Sequence, residues 1–492
     1  MTTAIAFGFK SGLSNPDLSR SPAPVNLGSL DGNHIIQATV FTEEITAAAS
    51  WTATTCSSSP ADMLPATGSR SVLMIAPYWP PVNAMGTRRS LRLARRLPAL
   101  GWDPLILTPD PPGAFSLGRP NLAPDMREPP VSVTKVPALF PMLRVAKGVR
   151  ALLQTRAKLP RLERLVQIAI ARSLLPDHFV EWAPAVIRAA RRLVREHEID
   201  AVWTTAPPFG AAVVGALVSQ AISRPLVVDY RDPWTQAPRL RPRRNPLGVP
   251  HWALEELERA VLRRADGVAY VYPENLAWNE QRFGKRAPAK WAVIPNGYDE
   301  ADFPEGAPTN FEVPTVLYGG SCYGGRTMQP VLRALSSLLA AGRAAPRLLI
   351  HGELDPASAK LVADSDALGE LVDIRPRVPM SVIAPKMRGA QALLLLTGGE
   401  HKHAVAAKIF DYFLAARPVL AYGPRGSSVS KILLDSKAGV WVNHEDGERA
   451  LADALERVAL NDFPYAPDSE EIGRWSADAM AERTAALLNE VT

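Results

Sequence analysis

Cysteine is scarce in this chain. Its 492 residues include only Cys56 and Cys322, so a single bridge is the most that could form, and a disulfide-built scaffold is excluded. No stretch approaches the ~18 consecutive apolar residues of a membrane-spanning helix. Neither a Walker A sequence nor a G-x-G-x-x-G turn after a strand is present, which disfavours the two commonest phosphate-loop readings. Lysine is also rare, 12 of the 55 basic residues. The net charge of +6 is small for the length and does not announce nucleic acid. What is present is apolar content of 47% against 21% charge, enough for packed cores. At ~150 residues per domain, two or three domains are expected.

The chain divides by pattern. Residues 1–67 hold 18 Ser and Thr and show no helical or strand period. They read as a disordered tail without a secretory leader. From Arg70 the grammar becomes strand, loop, helix, strand. Apolar runs at 71–76, 104–108, 201–204, 225–230, 267–271 and 292–295 alternate with helical patterns such as Gly210–Ile222. A linker-like stretch at 298–313 separates this series from a second one. Its strands are expected at 315–318, 347–351, 372–375, 392–396, 418–422 and 439–442, with a last helix within 471–492 packing back across the domains. The pattern predicts an α/β fold of two doubly wound Rossmann-like domains, at 68–297 and 314–470, each a parallel sheet flanked by helices. Ligands then belong at the C-terminal ends of both sheets, in an interdomain cleft.

Chemistry concentrates where the second series passes from ALLLL into a helix. Gly398 to His403 (GGEHKH) opens the helix that carries Lys408 and Asp411. A helix start offers free N–H groups and positive potential to a phosphate. Lys408 and Asp411, three residues apart, share a face. They suit a nucleotide, the cation on phosphate and the carboxylate on ribose, and equally an ordinary surface ion pair. His401 and His403 lack a third ligand and make a poor zinc set, so no metal is expected. Asp232 precedes Pro233 at a strand end. It could hold or deprotonate a hydroxyl, or simply bond local backbone in a turn. Asn296-Gly297 reads as a turn dipeptide.

Four stretches, in order, resemble a known family. They are Tyr78–Gly86 (YWPPVNAMG), Asp229–Trp234 (DYRDPW), Val293–Asp299 (VIPNGYD) and Lys408–Ala421 (KIFDYFLAARPVLA). Together they resemble the GT-B glycosyltransferases, in the family-4 (group 1) group of retaining enzymes. The resemblance implies transfer of a sugar from a nucleotide diphosphate to an acceptor hydroxyl, with no metal or other cofactor. It implies donor contacts at Gly86, Gly320, Arg326, Lys408 and Asp411, the last on the ribose. It places Asp232 and His403 at the reacting centre, with His403 standing where the family has Glu. The family also points to a saccharide or lipid-linked acceptor in cell-envelope polysaccharide or glycolipid synthesis. A 2-epimerase of the same fold and a non-catalytic binding subunit are the alternatives.

A basic insertion at about 139–173 carries eight Lys and Arg, from Arg144 to Arg172, against Glu163 alone. Interleaved apolar residues suit an interfacial helix on an anionic membrane. A solvated helical hairpin is the other reading. The expectation is a cytoplasmic protein, peripheral on the inner membrane face, with no nucleic-acid partner.

Overall fold

The computed structural model describes residues 69–114, 122, 126–138, 140, 148, 175–235, 251–284, 290–322, 325–398, 405 and 407–492. The tail at 1–67, nearly all of the basic insertion and His403 lie outside the described residues.

Among the described residues two parallel sheets form. The first takes β1 (Arg70–Ile75), β2 (Trp102–Asp110), β3 (Ser132–Pro137), β4 (Ala201–Ala206), β5 (Leu226–Tyr230), β6 (Gly267–Tyr270) and β7 (Lys290–Val293) in the order β3-β2-β1-β4-β5-β6-β7. The second takes β8 (Thr315–Gly319), β9 (Arg347–His351), β10 (Val372–Arg375), β11 (Ala392–Leu396), β12 (Val419–Gly423) and β13 (Gly439–Asn443) in the order β10-β9-β8-β11-β12-β13. Every residue of β4, β5 and β11 is buried, as expected for central strands covered by helices on both faces. Two doubly wound domains are thus present, as the alternating pattern predicts. Strand order reverses between β1 and β4, and again between β8 and β11. Those switch points mark the ligand crevice of each sheet.

β3 has no counterpart in the sequence reading. It is the edge strand of the first sheet, and only one of its six residues, Val136, is fully buried. An edge strand needs no apolar run, so its signal is weak.

The segment joining the domains is packed from its start. Tyr298, Asp299 and Phe303 are buried, although 298–313 reads as a linker. Nor is Asn296-Gly297 a turn. The Asn296 Oδ1 accepts from Arg89 at 3.1 Å, and a Cβ on Gly297 would overlap the Trp475 carbonyl, so only glycine lets the two backbones cross. The helix Ala477–Val491 then returns to the first sheet. Its Met480, Leu487 and Leu488 join the core of Val72, Trp102, Val227 and Ile294. Trp102 donates its indole N–H to Asn489 at 3.1 Å.

Candidate functional site

The first half of the site is built on the helix Met85–Arg96, which follows β1 and carries arginines 88, 89, 92, 95 and 96. Most of these are already committed to the protein. Arg89 is 2% exposed and grips Asp229 of β5 with two 2.8 Å bonds. Its other hydrogens reach the carbonyls of Ile294 at 2.9 Å and Pro295 at 3.1 Å. Arg92 donates to Asp302 and to the Gly297 carbonyl. Arg96 holds Asp299 through two 2.9 Å bonds. Burial alone would raise the Asp299 carboxyl, but the Arg96 fork overrides it and holds the group below its ordinary value. The sequence therefore uses an arginine stripe, spaced three and four apart, to fasten the interdomain junction.

Arg231, just past β5, is buried too. It donates to Thr205 Oγ1 at 3.0 Å and to the Pro207 carbonyl, and lies over the Tyr78 ring, 5.6 Å from its centroid. This packing gives Gly86 a reason of its own. A Cβ there would meet Tyr78 at 2.7 Å and Arg231 at 2.8 Å, so the glycine admits protein side chains as well as any ligand. Asp232 is exposed, and among the described residues its carboxylate takes no hydrogen bond. The local-turn alternative, in which it bonds nearby backbone, is not what the structure shows. Asn83 is half-buried on the same rim.

The second half lies past β8 and β11. Lys408 opens the helix Lys408–Ala415 and turns its ammonium inward, 4.2 Å from the centroid of Tyr318. It rests on Gly320, whose φ of +147° and lack of Cβ both matter: a methyl there would overlap Lys408 Nζ. Burial lowers the Lys408 ammonium to about 8, and neighbouring Arg326 pushes it the same way, as does Arg377 to a lesser degree. Arg377 itself is oriented by Ser321, at 3.2 Å. Three cations thus gather at the glycine loop after β8. Lys408 makes no ion pair among the described residues and Asp411 acts on it only at a distance, so the surface Lys408–Asp411 pair does not form.

Asp411 faces the first domain instead. It is half-buried and unbonded among the described residues. Burial pushes its carboxyl up to about 6, against the pull of Arg88 and Arg92 from the opposite helix. Two further bridges join the strand ends of the domains. The Tyr272 hydroxyl, just after β6, takes a backbone hydrogen bond from Val405; burial, helped by the negative charge of Asp232, still raises its pKa. Ser428 donates to Glu274 at 2.8 Å. The C-terminal ends of both sheets therefore face each other, with Gly86, Arg88 and Asp232 on one side and Gly320, Lys408 and Asp411 on the other.

Sequence reasoning missed Arg377, Tyr318, Tyr272 and Arg88. Tyr318 stands directly before the Gly-Gly pair, which is a readable signal. Arg377 arrives from beyond β10 and carries none. Among the described residues no group of three or more His, Cys, Asp and Glu side chains is placed to hold a metal ion.

Comparison with known proteins agrees with this geometry. The model of the glycosyl transferase 4-like domain matches residues 86–297. No curated protein matches the sequence. Among solved structures, sucrose-phosphate synthase from Thermosynechococcus elongatus is similar over 86% of this chain and 99% of its own, at 15% identity and a TM-score of 0.54. Trehalose 6-phosphate synthase from Burkholderia multivorans covers 86% and 99%, at 12% identity and 0.52. Anabaena Alr3699/HepE, solved in complex with UDP, covers 86% and 100%, at 13% identity and 0.50. At such identities these structures establish the fold alone, and the domain match covers the first domain. Residues 86–297 of the first domain match a glycosyl transferase 4-like domain, and the chain as a whole has the GT-B fold.

Proposed function

We propose that the cleft binds a nucleotide diphosphate sugar and transfers its sugar to an acceptor hydroxyl. One observation carries this reading: a half-buried Lys408 ammonium turned inward against Tyr318, with Arg326 and Arg377 as neighbours and no ion pair of its own among the described residues. Such a cluster is costly unless an anion completes it. A diphosphate brings compact negative charge to the loop at Gly319–Gly320, where the Lys408 ammonium occupies the space a Gly320 side chain would take. As the bond to the sugar breaks, charge grows on the departing diphosphate. Fixed cations in a dry site stabilise that charge without reorganising, and the proposal invokes no metal.

Asp411, with its free carboxylate, accepts from the ribose hydroxyls. Gly86 lies beneath the sugar. Asp232, exposed at the rim of the acceptor side, orients the incoming hydroxyl or takes its proton. His403 joins the donor sugar from the segment before Lys408. Retention of anomeric configuration, an acceptor in cell-envelope polysaccharide or glycolipid synthesis, and peripheral attachment to an anionic cytoplasmic membrane face complete the reading. No helix among the described residues is long and apolar enough to cross a membrane. That Anabaena Alr3699/HepE was solved with UDP supports a nucleotide donor.

Calorimetric titration with UDP, GDP, ADP and their sugars tests the reading. One nucleotide series is expected to bind, with affinity lost in Asp411→Ala. Unchanged affinity in that variant removes Asp411 from the ribose site. Failure of every nucleotide to bind removes the reading as a whole.

A further inference from the structure

A second concentration of positive charge lies away from the cleft. The outer edge of the first sheet, at β3, and the helix Ala183–Glu196 enclose a groove of ≈ 690 Å³. Lys135 lines one wall. Arg188, Arg191, Arg192 and Arg195 line the other, three and four residues apart and so on one helical face. Among the described residues the acid lining the groove is Glu181. Of the five cations only Arg192 has an ion pair among the described residues, to Glu196 at 3.7 Å. The arginines of the cleft helix are mostly bonded to carboxylates and carbonyls, whereas Arg188, Arg191 and Arg195 make no ion pair among the described residues.

The groove floor is apolar. Trp182 and Val136 are buried there, and the Trp182 indole N–H is already spent on the Val136 carbonyl at 3.4 Å. The floor offers packing, and the walls offer charge. The volume is that of a small-molecule site, and several guanidinium forks in so small a space match phosphate oxygens in geometry as well as sign. An acidic peptide would need several residues to supply the same charge. A flat lipid face would not enter a recess.

We infer that this groove is a phosphate-binding site, separate from the one around Lys408, for a di- or polyphosphorylated group. The groove is lined from β3 and the helix Ala183–Glu196 and shares no described residue with the surroundings of Lys408, so both sites can be filled at once. The inference rests on the groove alone and holds whichever sugar or acceptor uses the cleft.

The test is calorimetry of the full chain with inorganic pyrophosphate, with and without saturating UDP. Two binding events are expected, one removed by UDP and one indifferent to it. The indifferent event survives Lys408→Met and weakens about tenfold or more in Arg188→Ala/Arg191→Ala/Arg195→Ala. All three arginines are exposed, and unchanged UDP affinity in that variant shows that it is folded; the single Arg191→Glu is a second, milder probe. One event only, abolished by UDP, overturns the inference. So does an indifferent event that the arginine variants leave untouched. If pyrophosphate fails to bind the groove while the chain sediments with phosphatidylglycerol vesicles, the face is a lipid contact and the inference falls. If UDP fails to bind at all, the cleft reading fails while the groove event remains measurable.

Discussion

Arg89 and Lys408 make an instructive pair. Arg89 is buried and Lys408 half-buried, each on a helix that follows a strand at a switch point, one in each domain. Arg89 has a carboxylate in a two-bond grip and several carbonyls besides. Lys408 has an aromatic ring, a glycine and two neighbouring guanidiniums. The first arrangement is complete in itself and fixes architecture. The second gives Lys408 no paired carboxylate among the described residues, and the proposed diphosphate would supply the counter-charge. Burial alone does not separate structural from functional charge; whether the protein supplies the counter-charge does.

The largest expected difference between them is in stability. Asp229→Ala leaves Arg89 buried and unpaired and should cost about 3–5 kcal/mol in urea unfolding. Lys408→Met removes an uncompensated charge and should leave stability unchanged or raised. Equal losses in both variants would erase the distinction. Next comes binding: Lys408→Met should lose about 1.5–3 kcal/mol of UDP affinity, the worth of a hydrogen bond to a charged group, read by calorimetry. Gly320→Ala should act through Lys408, since its new methyl displaces the ammonium. It should lower UDP affinity, by less than Lys408→Met does, with a stability loss of about 1 kcal/mol for overpacking.

The pH dependence is set by two groups. Lys408 must be charged to hold phosphate, so UDP affinity should fall as pH rises through about 8. Its depressed value means the unfolded chain holds more protons between about 8 and its ordinary 10.5, so the stability of the free protein gains from this group over that same window. Affinity and stability should therefore move in opposite directions. At the acid side Asp411 must be ionised to accept from ribose, so affinity should also fall as pH drops through about 6. A flat profile between 5 and 9 would detach both groups from the nucleotide. The smallest effect belongs to Asp232→Asn. Exposed and unbonded, it should change stability by no more than about 0.5 kcal/mol and leave UDP affinity alone, while transfer slows.

Much of the fold was legible because its signals are local. β11 is five apolar residues in a row, and Gly210–Ile222 begins and ends where its pattern does. The edge strand β3 escaped notice because exposure leaves no apolar run. Within the site, Lys408 could be named from a helical pattern after an apolar strand, and Gly320 from the family resemblance. Their partners could not. Arg89 meets Asp229 across 140 positions, and Arg377 reaches Ser321 across 56. Such pairs exist only once the sheet order brings the strand ends together. The sequence shows which side chains are present, and topology decides which cations are answered.

The return of the helix Ala477–Val491 has a consequence for biosynthesis. The first domain leaves the ribosome early, yet part of its core is made of Met480, Leu487 and Leu488. The second domain emerges whole in between and can close its own sheet. Domains synthesised first generally fold first; here the earlier one stays unfinished until the later has passed. Translation order and completion order are reversed, and trimming residues 477–491 should damage the domain farther from them along the chain.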